Sequence, residues 1–140
     1  MIRMINFYGV AACACLLAIA AMSALPQEEV SQKFPAIKCE ELKKMIDIKA
    51  ADMLVICNDP KESYDEGHIP GAVSFPWVDT LKPPVSLPRN KMLILYCSCS
   101  HEEDSTDMAA KLTRFGYRNL KVLEGGFIRW TKLKYPVETK

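Results

Sequence analysis

The sequence predicts an α/β domain whose small parallel β-sheet is flanked by helices on both faces. Two short apolar runs, Met53–Cys57 and Met92–Tyr96, are bounded by polar residues, which is typical of strands buried on both faces of a parallel sheet. Residues 40–49 and 104–115 instead place their apolar side chains on one helical face. Strands that alternate with helices along a chain favour this architecture.

The remaining expected elements are short. Pro70 and Gly71 stand at the central positions of a type II turn, which needs a positive φ at its third residue. Gly116 stands where the helix at 104–115 is expected to end. Further expected elements are strands at 36–38, 72–75 and 120–123, a helix at 127–133, and loops at 58–72 and 76–91, the second with room for one helical turn.

The N-terminal segment has the layout of an export signal. Residues 7–25 contain no charge, Arg3 precedes them, and residues 21–23 (AMS) offer small side chains for cleavage. The stretch is just long enough to span a bilayer if it stays uncut. A lipoprotein signal, indicated by the lipobox-like VAAC at 10–13, and a buried core helix are further interpretations of this stretch. We therefore expect residues 1–25 to be a signal peptide or membrane anchor, 26–35 a linker, and 36–140 a domain that is exported to the periplasm or secreted.

The composition and charge of the sequence limit the classes of partner that we expect for this protein. Of the 140 residues, 49% are hydrophobic and 25% charged, and the formal net charge of +1 implies no polyanionic partner. The basic residues are scattered, so no nucleic-acid surface is expected. We expect a monomer without a cofactor that meets a membrane only through residues 7–25, if these stay uncut.

Four of the six cysteines lie in the expected domain: Cys39, Cys57, Cys97 and Cys99. That density is low for a scaffold held together by disulfides. The C-x-C spacing of Cys97 and Cys99 also differs from the usual C-x2-C zinc pair, and no second pair follows, so no metal site is expected.

Cys97 is the candidate nucleophile because of its position. It follows a predicted parallel strand and precedes a loop and a helix, and open α/β sheets bind ligands beyond the carboxyl ends of their strands. Loop amides and the positive end of the following helix stabilise a thiolate or a persulfide at such a point, and they can also hold an oxyanion.

Three segments together resemble the rhodanese superfamily. They are YDEGHIPGAVSFP at Tyr64–Pro76, LILYCSC at Leu93–Cys99, and GYRNLKVLEGGFIRWTKLKYPVE at Gly116–Glu138. They stand in the expected order and span essentially all of residues 36–138. The resemblance implies the rhodanese-like fold, and a Cys97 that accepts a sulfane sulfur, becomes a persulfide and passes the sulfur to a thiol or another acceptor.

By that resemblance, the residues after Cys97 form a substrate-binding loop whose backbone amides cradle the persulfide. Its expected members are Ser98, Cys99, Ser100, His101, Glu102, Glu103, Asp104 and Ser105. Cys99 and Cys57 are candidates for auxiliary thiols, unless they are passive residues of the loop and the core. A Cys97–Cys99 disulfide would close a small, strained ring.

The sequence departs from the superfamily in two places. Cys57 and Asp59 occupy positions that usually hold an Asp and an Arg. The loop CSCSHEEDST at 97–106 lacks Gly and Arg and carries three consecutive acids, as in a subset with a C-x-C loop followed by Glu. These acids either cap and start the helix or select a cationic or neutral sulfur donor, and with either role thiosulfate is not the expected physiological donor.

The leading hypothesis is therefore a sulfurtransferase that takes a small sulfur donor and a thiol acceptor. The competing hypothesis is a non-catalytic rhodanese module for protein interaction or for redox or sulfur sensing. A phosphatase or arsenate reductase shares the cysteine loop but needs an Arg for its tetrahedral anion, and residues 97–106 contain none. We expect structural roles for His68, Trp130 and Cys39.

Overall fold

The computed structural model describes residues 34–140, which form nine short elements. In chain order they are β1 (Ala36–Ile37), α1 (Cys39–Asp47), β2 (Met53–Cys57), α2 (Lys61–Glu66), β3 (Val73–Ser74), β4 (Met92–Tyr96), α3 (Glu103–Arg114), β5 (Leu120–Leu123) and α4 (Gly126–Lys132). The expected signal peptide or anchor at 1–25 and most of the linker lie outside the described residues. Within 34–140, no helix has both the length and the apolar character needed to cross a membrane.

The five strands form one parallel sheet in the order β1-β5-β4-β2-β3. At its carboxyl end β4 pairs with β2 through Tyr96 and Cys57, and on its other side Leu95 pairs with Val122 of β5. The predicted parallel α/β fold is confirmed. The ends of β2, β4 and β5 therefore meet at one edge of the sheet, with β4 in the middle.

Alternate side chains of β4 enter two separate cores. Ile94 and Tyr96 join the core under α1, α2 and α4, whereas Leu93 and Leu95 join the core under α3 and the segment 76–91. All four are almost completely buried, which explains why the run MLILY contains no charged residue. The prediction of helices on both faces of the sheet is thus confirmed.

A loop is expected from the sequence throughout 58–72, and this prediction is wrong for the middle of the segment, where Lys61–Glu66 form α2. So short a helix is not stable alone, and tertiary contacts hold it. Tyr64 packs into the core and its hydroxyl donates a hydrogen bond to the carbonyl of Ala72 at 2.7 Å. No helical turn forms within 76–91.

The turn before β3 has the expected type II features. The N–H of Ala72 donates to the carbonyl of Ile69 at 3.0 Å, and Gly71 has a φ of 74°. His68 is buried, stacks on Tyr64 and donates its Nδ1–H to the Tyr64 carbonyl at 2.8 Å. The structural role expected for His68 is confirmed, and Trp130 and Cys39 are likewise fully buried in the core.

Candidate active site around Cys97

Cys97 lies at the carboxyl end of β4, between the ends of β2 and β5. Its carbonyl accepts the N–H of Phe127 at 3.0 Å, so the start of α4 packs directly against it. Gly126 makes this approach possible, because a Cβ at that position would overlap the carbonyl oxygen of Cys97. Gly126 also has a φ of 50°, which few other residues adopt without strain. The Gly-Gly pair at 125–126 therefore allows the start of α4 to contact the backbone of Cys97 and hold it in place.

The thiol of Cys97 is fully buried beneath the loop. It donates to the hydroxyl of Ser105 at 3.7 Å, and that hydroxyl donates to the carbonyl of Glu102 at 3.0 Å. A serine hydroxyl rotates freely and is both donor and acceptor, so Ser105 can turn its proton toward a negatively charged sulfur. Of the expected loop residues, Ser105 is the one whose hydroxyl is placed against the thiol of Cys97.

Cys99 is half-buried and its thiol lies beside both Cys97 and Asp104. Burial, together with the neighbouring Cys97 thiol and Asp104 carboxylate, raises the pKa of Cys99 to about 12 despite the N–H of Asp104. Cys99 is therefore a neutral thiol at ordinary pH. The two sulfurs of the C-x-C sequence lie close to each other.

From the sequence, Asp59 stands out only as a departure from the superfamily pattern, whereas in the structure it contacts the active loop. It is 7% exposed and lies just beyond β2. Its Oδ1 accepts the N–H of Ser98 at 2.7 Å, and its Oδ2 accepts the Ser98 hydroxyl at 2.8 Å. The available signal was positional, because the residues that follow two paired parallel strands meet at one edge of the sheet.

Cys57 reaches the active loop only indirectly, through Asp59. Its buried thiol donates to Oδ2 of Asp59 at 3.6 Å. Burial raises the pKa of Cys57 to about 11, although the nearby Tyr96 hydroxyl lowers it. A protonated, buried thiol in this place behaves as part of the core.

The three consecutive acids of the loop do different things. Glu102 has a φ of 55° and its Oε1 accepts the N–H of Gly125 at 2.5 Å, so its side chain braces the loop against the Gly-Gly turn instead of capping α3. Glu103 and Asp104 occupy the first turn of α3, where the helix dipole favours acids. Oε2 of Glu103 also accepts the N–H of His101 at 3.2 Å.

The tip of the loop is exposed. Ser100 and His101 lie at the surface, with the Ser100 Oγ 3.1 Å from His101 Nδ1. The carboxylate of Glu103 lies 3.5 Å from the same ring, and His101 is the only residue of 97–106 that can carry a positive charge. The pKa of Glu103 is lowered by its own backbone N–H and by that of His101. Residues 34–140 contain no cluster of His, Cys, Asp or Glu side chains suited to a metal ion.

Comparison with known proteins agrees with this geometry. Residues 38–133 match the profile of the family described as Rhodanese-like domain. The chain is 29% identical over 89 residues to the adenylyltransferase and sulfurtransferase UBA4 of Meyerozyma guilliermondii, covering 59% of this chain and 21% of that protein. It is 27% identical over 90 residues to an HTH-type transcriptional regulator of Mycobacterium tuberculosis, covering 64% of this chain and 39% of the regulator. The chain thus spans well under half the length of either relative.

A solved structure shows the same architecture. The BH2092 protein of Bacillus halodurans superposes with a TM-score of 0.69 at 29% identity, covering 75% of this chain and 77% of that chain. The resemblance seen in the GHIPGA turn, the strand before Cys97 and the closing Gly-Gly helix is thereby confirmed, and the family match covers more than half of the sequence. The chain belongs to the rhodanese-like domain family.

Proposed function

We propose that this chain is a sulfurtransferase that carries a sulfane sulfur as a persulfide on Cys97. The observation that carries the proposal is the contact of the buried Cys97 thiol with the Ser105 hydroxyl, at the carboxyl end of the central strand. That hydroxyl is placed to donate a hydrogen bond to a charged sulfur where water is excluded. Membership of a family that includes sulfurtransferases supports the same function.

The chemistry is a two-step transfer without net oxidation. The Cys97 thiolate attacks the sulfane sulfur of a donor R–S–SH, a new S–S bond forms, and RS⁻ leaves with the electron pair of the broken bond. An acceptor thiolate then attacks the outer sulfur of the Cys97 persulfide. The acceptor becomes a persulfide and Cys97 returns to the thiolate.

The loop disfavours thiosulfate as the donor. Residues 97–106 contain no Lys or Arg to neutralise a dianion, and Glu102, Glu103 and Asp104 add negative charge. A neutral or cationic persulfide donor meets no such repulsion. Because Cys97 is fully buried, the donor reaches it only when the loop moves outward. Two contacts oppose that movement, Asp59 with Ser98 and Glu102 with Gly125.

The function is tested by the intact mass of the reduced domain after exposure to thiosulfate and, separately, to a persulfide donor. We expect a gain of one sulfur atom with the persulfide donor, retained in Cys99→Ser and lost in Cys97→Ser. The proposal is wrong if neither donor adds sulfur, or if Cys97→Ser leaves the gain unchanged.

A non-catalytic module for protein interaction or redox sensing is the second candidate. Two observations favour it: Cys97 has no exposed surface, and its thiol lies beside that of Cys99. The similarity to a transcriptional regulator is in keeping with such a role. Loss of two hydrogens from a Cys97–Cys99 bond in the same mass experiment, without sulfur gain, would favour this candidate.

We further propose that the chain is exported, either cleaved after its apolar segment at 7–25 or anchored by it. Fractionation of cells that express the full chain tests this point. Recovery of the uncleaved chain in the cytosol would contradict it, whereas a shortened chain outside the cytoplasmic membrane is expected if cleavage occurs.

A further inference from the structure

A groove of about 330 Å³ opens beside the active loop, bordered by the start of α2, the start of α3 and the segment after β3. We call it the Trp77 groove, and the residues that define its chemistry are Asn58, Lys61, Glu62, Trp77 and Asp104. Asp104 also borders the thiol of Cys99. The groove therefore reaches the active loop through Asp104.

Asn58 contributes a hydrogen-bond acceptor that has no partner. The residue is 1% exposed, and its Nδ2 donates to the carbonyl of Phe75 at 2.8 Å, which fixes the orientation of the amide. Its Oδ1 is buried and accepts no hydrogen bond from residues 34–140. An unmet buried acceptor is costly, and Asn58 is one of the residues that line the groove.

The unpaired charge of the groove is negative. Within the described part of the chain, neither Glu62 nor Asp104 forms an ion pair with a basic side chain. The one lysine that lines the groove, Lys61, is already paired with Asp65 one helical turn away. A ligand group that enters the groove therefore meets two carboxylates without a basic partner, and the unpaired Oδ1 of Asn58 belongs to a residue of the same wall.

Trp77 supplies a fixed aromatic wall. It is 39% exposed, and its indole N–H donates to Oδ2 of Asp107 at 2.6 Å. Lys111 Nζ lies 4.4 Å from the centre of the ring and also contacts Asp107, so the ring is held on the surface of α3. The electron-rich faces of an indole attract cations, and Lys111 already occupies one face of this ring.

We propose that the Trp77 groove binds the ammonium end of a small aminothiol, which serves as the sulfur acceptor or, in persulfide form, as the donor. An ammonium group carries three donors, one positive charge and no acceptor, which matches two carboxylates, an unpaired amide oxygen and an aromatic wall. The inference rests on the proposed sulfur transfer and adds the class of its substrate. Transfer follows the steps given above, so the groove positions the thiol and takes no part in the bond changes.

Three acceptors of similar length test the charge preference: cysteamine, 2-mercaptoethanol and 3-mercaptopropionate. Transfer of sulfur from the Cys97 persulfide to each is measured as kcat/KM in the wild type, Glu62→Gln and Asp104→Asn. We expect Glu62→Gln to lower kcat/KM for cysteamine about fivefold, the equivalent of one partly exposed ion pair, and to leave the value for 2-mercaptoethanol unchanged. Asp104 belongs to the active loop, so for Asp104→Asn we expect a similar fall in the ratio of the cysteamine value to the 2-mercaptoethanol value. Differences in intrinsic reactivity among the three thiols do not affect the result, because the variant and the wild type are compared with the same acceptor. Glu66→Gln, an exposed charge removal in the same helix but outside the groove, is the matched control.

Binding without sulfur chemistry separates this inference from the proposed function. Trp77 fluorescence is titrated with 2-(methylthio)ethylamine and with 2-(methylthio)ethanol, neither of which can accept sulfur. We expect a saturable change with the amine only, lost in Trp77→Phe, which leaves the buried Trp130 as the other tryptophan of the chain. If the amine binds but the protein never forms a persulfide, the proposed sulfurtransferase function is wrong and the proposal that the groove binds ammonium groups stands. The groove proposal is wrong if the persulfide forms but the amine and the alcohol bind equally well. It is also wrong if the persulfide forms and the substitutions lower kcat/KM equally for all three acceptors.

Discussion

Asp59 accepts the backbone N–H of Ser98 at 2.7 Å, which ties the end of β2 to the residue that follows Cys97. The same carboxylate accepts the Ser98 hydroxyl at 2.8 Å and the Cys57 thiol at 3.6 Å. At this position, where related domains usually carry a basic residue, a buried carboxylate therefore fixes the first residue of the active loop. Asp59 is a positioning residue, since its contacts to the loop go to Ser98.

The first prediction concerns Asp59→Asn. The amide keeps one acceptor for Ser98 but loses the charge and the second acceptor, so we expect the free energy of unfolding to fall by about 1–3 kcal/mol. Because the loop is held less firmly, persulfide formation should slow by more than the lost fraction of folded protein explains. Chemical denaturation gives the first quantity, and single-turnover mass spectrometry gives the second.

Asp79→Asn, a substitution in the exposed segment after β3, is the control for Asp59→Asn. A structural role alone would leave the pH profile of Cys97 alkylation unchanged, whereas a positioning role displaces it. An Asp59→Asn domain with the wild-type profile and the wild-type rate of persulfide formation would refute the assignment.

The second prediction compares two glycines. Gly126→Ala places a Cβ against the Cys97 carbonyl at a φ of 50°, whereas Gly71→Ala has a similar φ of 74° and open space around it. We expect Gly71→Ala to cost about 1–2 kcal/mol from backbone strain alone. Gly126→Ala should cost clearly more because α4 must also move away from the active loop. Urea denaturation of both variants measures the difference, and equal losses would show that the close approach to Cys97 has no energetic consequence.

How much of this site the sequence predicts depends on whether a feature is local. The apolar runs at 53–57 and 92–96 identify two central strands, and the position of Cys97 at the end of the second follows from that pattern alone. The contact of Asp59 with Ser98 joins residues 39 positions apart, so only the paired strands bring them together. The helix at Lys61–Glu66 does not follow from the sequence for a similar reason, since it is stabilised by the packing of its Tyr64 against core residues that are distant in the sequence.

Glu102 provides the third prediction. Its carboxylate holds the Gly125 N–H, and its own backbone is left-handed, so it acts as a brace that keeps the loop closed over Cys97. Glu102→Ala removes the brace and should increase the rate at which iodoacetamide alkylates Cys97 in the folded domain. Glu102→Gln retains an acceptor and should lie between Glu102→Ala and the wild type. Equal alkylation rates in all three proteins would mean that loop opening does not depend on this contact.

The last prediction concerns stability in alkaline solution. Burial raises the pKa of Cys57 from its ordinary 9.0 to about 11. Between pH 9 and pH 11 the unfolded chain therefore releases this proton while the folded domain keeps it, so the unfolded state binds fewer protons and stability falls as pH rises. Cys57→Ala removes this component, and its free energy of unfolding should decline less steeply over that range than that of the wild type. Val55→Ala, on the same buried strand, lowers stability without a titrating group and should keep the wild-type slope. Guanidinium denaturation at a series of pH values measures the three slopes, and a Cys57→Ala slope equal to that of Val55→Ala would show that the Cys57 proton contributes nothing to the alkaline loss.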